Sequence, residues 1–168
     1  RWSNVSFQVI LQQQLHHPFR LLNDVNACAV AESCCRAQYH SQNVACVLLG
    51  TGLGMGAVVH GQLLEGAHGL ATEIGHIKIG SSHTGRLCGC GERGCIEAYI
   101  SGRYLGELYD EMIKDDQAYR IQLEKELGGP VRDIVTEWHI EHYHQAGVQY
   151  AKVLWQDISQ RIPTVLAD

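Results

Sequence analysis

The sequence predicts an α/β or α+β unit, and three observations lead there. A β-branched and Leu-rich run occupies residues 44–49. Glycines and a second apolar run, Ala57-Val58-Val59, follow directly. From residue 96 onward the apolar residues recur at helical spacing instead. Strands thus come early and helices late, and 168 residues with 45% hydrophobic side chains suffice for about one globular domain of roughly 150.

Taken in order, the first element is a helix. Val5, Ile10, Leu11 and Leu15 oppose a Gln-rich side, and the helix ends before His17-Pro18, because a proline pushes its predecessor out of the helical region. Residues 19–22 read as a short strand, Asn23-Asp24 as a polar turn, and residues 27–37, Ala-rich with Glu32 and Arg36 one turn apart, as the next helix. The run at 44–49 predicts a buried strand leading into Gly50-Thr51-Gly52-Leu53-Gly54-Met55-Gly56. The turn at His60-Gly61-Gln62 folds residues 57–59 back on Leu63-Leu64, so the glycines lie between strands. Residues 74–79 alternate as a further strand. Residues 96–113 read as a helix interrupted at Gly102, and residues 119–127 and 134–154 as helices, with Gly128-Gly129-Pro130 the clearest break. No internal repeat or low-complexity tract is present.

Thirteen Lys plus Arg against eighteen Asp plus Glu give a net charge of −5, which leaves no electrostatic footprint for nucleic acid or an anionic membrane. A small-molecule partner is expected. No stretch approaches the roughly 20 apolar residues of a membrane span, and Arg1-Trp2-Ser3-Asn4 lacks the apolar core of a signal peptide, so a soluble, cytoplasmic protein is expected. The absence of a first Met suggests a start upstream.

Consecutive glycines after a strand let backbone amides approach phosphate oxygens, because no Cβ intervenes and positive φ is permitted. A Walker loop is excluded, since no Gly-Lys-Ser/Thr follows. Gly52-Leu53-Gly54-Met55-Gly56-Ala57 nearly matches a dinucleotide fingerprint, but that motif must open a helix and here a strand follows. A tight hairpin without a ligand explains the same residues.

Seven cysteines, an odd number, do not make a complete disulfide framework. Cys28, Cys34, Cys35 and Cys46 sit among Ala, Val and Leu and read as small buried hydrophobes. Cys88, Cys90 and Cys95 sit instead among glycines and charges. With His76 twelve positions before Cys88, they offer one imidazole and three thiolates to a tetrahedral Zn²⁺, the alternative being unpaired reactive thiols. His16, His17, His40, His83, His139, His142 and His144 read as surface residues.

Together, Asn23-Asp24-Val25-Asn26, the glycine run, Glu73-Ile74-Gly75-His76 and Cys88-Gly89-Cys90-Gly91-Glu92-Arg93-Gly94-Cys95-Ile96-Glu97 resemble the ROK family of sugar kinases and sugar-responsive repressors. The resemblance implies an α/β, actin-like (ribonuclease H-like) ATPase fold with a zinc-binding loop, in which ATP and a sugar meet between two lobes. It implies transfer of a phosphoryl group from ATP, with Mg²⁺, to the 6-hydroxyl of a hexose or hexosamine, and a homodimer as the assembly. By the same resemblance Asp24 is the catalytic base, and a carboxylate of ordinary pKa, about 4, is ionised at pH 7 as that role needs. Asn23, Glu73, His76 and Glu97 bind the sugar hydroxyls, which favour carboxylate acceptors and amides that donate and accept. Gly50, Thr51, Gly52 and Gly54 face the ATP phosphates. His76 has a double duty, one ring nitrogen on zinc and the other toward the sugar, with zinc purely structural.

Three departures accompany the resemblance. The family's Asp-x-Gly-Gly-Thr phosphate segment is not found, nor is its glycine-rich adenosine segment. Residues 1–168 are therefore expected to be the central and C-terminal-lobe part of a kinase domain, or a degenerate copy. Thr72 stands where the family usually has Gly, and a β-branched residue there shifts the backbone that aims Glu73. The alternatives to a kinase are the effector domain of a sugar-responsive repressor and an inactive sugar-binding remnant. The intact glycine run favours kinase ancestry.

Overall fold

The computed structural model describes residues 5–35 and 42–166; Arg36, Ala37 and His40 lie outside them. Helix α1 is Phe7–Gln14 and α2 is Asp24–Cys35. Strands β1 (Val44–Leu49), β2 (Leu53–Val59) and β3 (Gln62–Leu63) form an antiparallel sheet in the order β1-β2-β3. A 3₁₀ turn at Ile74–His76 leads to the cysteine loop, and six helices follow: α3 (Glu97–Ile100), α4 (Gly102–Met112), α5 (Gln117–Leu127), α6 (Val131–Ile134), α7 (Glu137–Gln145) and α8 (Gln149–Leu166).

The β1–β2 register runs from Val44 opposite Val58 to Leu49 opposite Leu53, so the hairpin loop is only Gly50-Thr51-Gly52. Gly54 and Gly56 belong to β2 rather than to a loop between strands. Gly56 is needed because α2 lies directly on β2: a Cβ there would sit 2.5 Å from the Val25 carbonyl oxygen. At the next turn His60 and Gly61 have φ of 51° and 76°, the left-handed pair that matches the twist of a two-residue hairpin.

The helical layer forms the main core. Leu105, Tyr109 and Ile113 recur every fourth residue and are all buried, with Ile96, Ile100 and Ile140 packed in the same cluster. Asp116 caps α5 by accepting from the Tyr119 amide at 3.0 Å, and Gly128, at φ 76°, ends it in the left-handed conformation.

Several sequence expectations change. Residues 19–22 form no strand, and α2 begins at Asp24 because the Asn23 side chain accepts from the Asn26 amide at 2.8 Å and starts the helix there. Residues 74–79 are not a strand: Gly75 packs so tightly on β2 that a Cβ would lie 2.4 Å from the Leu53 carbonyl oxygen, and only Lys78 forms a bridge, to Cys95. The expected helix at 134–154 is divided among α6, α7 and α8, with Gly147 at φ 87° between the last two. Strand β1 has the expected bounds but is not buried, because one of its faces is left uncovered; Leu48 and Leu49 are exposed. The four cysteines read as buried are not either: Cys34 and Cys35, at the end of α2, are exposed, and Cys28 and Cys46 are half-buried. Helix α1 forms as expected but buries none of its residues.

Candidate functional site

Four short segments converge on one cavity of about 530 Å³. Asn23 and Asp24 reach it from the start of α2, Gly50, Thr51, Gly52 and Gly54 from the hairpin, Glu73 from the loop before the 3₁₀ turn, and Glu97 from the first residue of α3. Helix starts and hairpin ends expose side chains and backbone without breaking a ladder, so the fold puts its polar groups where the chain turns.

Local geometry fixes each group. Asn23 Oδ1 caps α2, which leaves the side-chain NH₂ to the cavity, and Asp24 Oδ1 accepts from the Val25 amide at 2.9 Å. Both side chains remain exposed to the cavity. The glycine hairpin is tied to α4, whose Gly102 amide donates to the Gly50 carbonyl at 2.7 Å. Glu97 Oε2 accepts from the Leu53 amide at 3.0 Å, and a Cβ on Gly52 would lie 2.8 Å from that oxygen. Gly52 therefore makes room for a carboxylate. None of Gly50, Gly52, Gly54 and Gly56 has a positive φ, so close approach rather than left-handed backbone explains Gly52 and Gly56.

Thr72, which also lines the cavity, holds φ at 67°. A β-branched residue there is strained, and its hydroxyl donates to the Met55 carbonyl at 2.6 Å in partial compensation. This explains why the position suits glycine. Sequence reasoning flagged Thr72 for its type but did not foresee its place in the wall, nor that of Leu48, Leu49 and Met55.

His76 stands behind Glu73, outside the cavity lining. Its Nε2 lies 3.9 Å from Glu73 Oε2, and its Nδ1 lies 3.7 Å from Cys88 Sγ. One ring nitrogen thus faces the cavity carboxylate and the other the cysteines. The donor atoms of His76, Cys88, Cys90 and Cys95 all lie within 4.8 Å of one another, and the Cys90 and Cys95 sulfurs are 3.8 Å apart. A tetrahedral zinc site with Zn–S of about 2.3 Å has sulfur–sulfur edges of about 3.8 Å, so the donor set fits. Gly91 and Gly94, at φ 92° and 81°, give the loop the left-handed turns that bring the sulfurs together. Burial pushes the Cys88 thiol up to about 11, while the Glu92 amide hydrogen bond holds the Cys90 thiol below its usual value. Among the other histidines, His16, His17, His83 and His142 are exposed as expected, whereas His139 and His144 are half-buried. His139 Nδ1 accepts from the Thr136 amide at 3.2 Å, completing the cap of α7.

The profile of the ROK family matches residues 1–165. The chain belongs to the ROK family. Over 167 residues it is 31% identical to a glucokinase of Streptomyces coelicolor, an alignment that covers 99% of this chain and 52% of that enzyme. It is 40% identical over 111 residues to an N-acetyl-D-glucosamine kinase of Pectobacterium carotovorum, covering 61% of this chain and 36% of that kinase. Among solved structures, a ROK family glucokinase from Streptomyces griseus in complex with glucose and AMPPNP superimposes with a TM-score of 0.75 at 32% identity, over 94% of this chain and 50% of that one. A ROK family transcriptional regulator superimposes with a TM-score of 0.62 at 26% identity, over 86% of this chain and 34% of that one. This ROK chain thus has the fold of ROK sugar kinases over about half their length or less. Among its described residues, no helix is long and apolar enough to cross a membrane.

Proposed function

We propose that residues 1–168 form the central and C-terminal-lobe part of a ROK sugar kinase that phosphorylates a hexose or hexosamine at its 6-hydroxyl. The observation that carries this reading is the meeting of Asn23, Asp24, Glu73 and Glu97 with the Gly50-Thr51-Gly52 hairpin around one cavity. The glucokinase and N-acetylglucosamine kinase relatives support the substrate class.

In this reading the Asp24 carboxylate accepts the proton of the sugar 6-hydroxyl as that oxygen attacks the γ-phosphorus of ATP. Asn23, Glu73, His76 and Glu97 hold the other hydroxyls, and Glu97 is held in turn by the Leu53 amide. The Thr51 hydroxyl and the amides of Thr51 and Gly52 face the phosphates. Mg²⁺ accompanying ATP supplies charge neutralisation. His76, Cys88, Cys90 and Cys95 would hold a structural Zn²⁺, which would fix the loop before Glu97. His76 Nδ1 turned to the metal leaves Nε2 protonated, a donor toward the Glu73 side of the cavity. The cavity side chains all come from one chain, and the assembly we propose is a homodimer working in the cytoplasm.

The test grafts these residues into the matching region of the Streptomyces coelicolor glucokinase and measures hexose-dependent ADP release. Asp24→Asn keeps the size and removes the base, so kcat is expected to fall by roughly 10²–10⁴-fold with a much smaller change in sugar KM. A variant that phosphorylates glucose at near the parental rate shows that Asp24 is not the base.

A further inference from the structure

Three thiolates and a neutral imidazole around a divalent cation sum to one net negative charge, and that charge resides on the sulfurs. Two of these sulfurs have little access to water, since Cys88 is 3% exposed and Cys95 fully buried. A buried negative charge needs a partner.

Lys78 supplies one. Its Nζ donates to Cys95 Sγ at 3.2 Å and to the Arg93 carbonyl at 3.0 Å, and it lies 3.7 Å from Glu92 Oε2. An ammonium has three protons, and three acceptors surround this one. The backbone sets up the contact. Lys78 and Cys95 face each other in an antiparallel bridge, flanked by bonds from the Ile79 amide to the Gly94 carbonyl and from the Ile96 amide to the Ile77 carbonyl, both 2.9 Å. Opposed residues in such a pair project to the same face, so the lysine stem runs over the buried cysteine while its head stays 43% exposed as a side chain.

We propose that Lys78 is a positioning residue of the metal centre: its ammonium balances the charge of the Cys₃His site and, by hydrogen bonding the Cys95 thiolate, holds that ligand on the metal. The role rests on the reading of the cluster as a zinc site. Lys78 touches neither sugar nor nucleotide in this scheme. Drawing electron density from the Cys95 sulfur makes it a poorer target for electrophiles and slows metal loss.

The test uses the reduced 168-residue chain and its Lys78→Met and Lys78→Arg variants. Zinc affinity is measured by competition with a chromophoric chelator, and the sulfur-to-metal charge-transfer band is recorded after Co²⁺ substitution. Lys78→Met is expected to bind zinc 10–100-fold more weakly, the usual effect of losing an outer partner of a metal ligand. Its charge-transfer band moves to longer wavelength, because a thiolate without its hydrogen bond gives up an electron more easily. Lys78→Arg recovers most of the affinity. A merely structural lysine changes the melting temperature and leaves the band in place. A methionine variant with affinity within about twofold of the parent and an unshifted band overturns the proposal. If that variant does not fold with zinc, Lys78→Gln replaces it in the same assays. A parent chain that takes up neither zinc nor cobalt overturns the metal reading itself and this role with it.

Discussion

At the scale of single residues, the glycine run is explained by its neighbours one at a time. Gly52 leaves space for the Glu97 carboxylate and Gly56 for the backbone of α2, whereas Gly50 has nothing within 4 Å of a notional Cβ and borders the open cavity. Gly50 alone in the run has no neighbouring atom that a Cβ would meet, so it is where a phosphate reading draws least competition from a structural one. The cysteines divide in the same way. Cys88, Cys90 and Cys95 are brought with His76 to within 4.8 Å of one another by a loop with two left-handed glycines, which a reactive-thiol reading does not require. We expect freshly purified, reduced protein to carry about one Zn²⁺ per chain. Metal binding is folding free energy in such loops, so a strong chelator should lower the melting temperature by on the order of 10 °C, and Cys90→Ser should lower both zinc affinity and melting temperature. Elemental analysis that finds no zinc sinks this expectation.

At the scale of elements, the sequence was most legible where periodicity and chain breaks agree. The bounds of β1 and the break between α5 and α6 at Gly128-Gly129-Pro130 follow from β-branching and from residues unable to continue a helix. Ile74 to Ile79 misled because alternation along a short segment does not separate a strand from a loop whose residues are claimed by different neighbours: Ile74 by the core, His76 by the cysteines, Lys78 by Cys95. Burial of β1 was illegible because a strand's second face depends on what covers it, which lies outside its own pattern. The tyrosines of the helical layer were not singled out at all. Tyr109 and Tyr119 share a hydroxyl contact of 2.9 Å, and Tyr150 donates to Asp116 Oδ2 at 3.0 Å. Burial first, then the Tyr119 hydrogen bond, raises the Tyr109 phenol well above its ordinary value of 10.0. The folded state therefore favours the neutral phenol, and its contribution is complete below about pH 10. As pH rises further the unfolded chain ionises first and stability falls. Tyr109→Phe removes that slope and, at neutral pH, one hydrogen bond of about 1 kcal/mol. Urea midpoints at pH 8 and pH 11 test this: the parent should lose more between the two than the variant does, and parallel losses would show that Tyr109 ionisation does not contribute.

At the scale of the whole molecule, the cavity has one well-built wall. Asp24 and Glu97 are anchored to backbone amides and the hairpin to α4, yet Leu48 and Leu49 beside the cavity are exposed and α1 buries nothing. The chain also spans only about half the length of the Streptomyces glucokinases it matches. In-line phosphoryl transfer depends on positioning and on donors that neutralise charge on the β- and γ-phosphates. The hairpin is the one candidate phosphate-facing segment among the described residues, whereas the kinase reading proposed above places ATP between two lobes. Loss of a single such donor commonly costs about 3–4 kcal/mol of transition-state stabilisation, or some 10²–10³-fold in rate, so the absence of whole segments should leave almost no turnover. We therefore expect a polypeptide of these 168 residues alone to release no hexose-dependent ADP above background, while still binding sugar weakly through Asn23, Asp24, Glu73, His76 and Glu97. The check is an ADP-release assay with glucose and N-acetylglucosamine at high enzyme concentration, run beside ligand-observed NMR for sugar binding. Sugar binding without turnover fits a cavity whose sugar side is present and whose nucleotide side is incomplete; robust hexose-dependent ADP release from these residues alone would mean that the hairpin and α2 suffice to hold ATP.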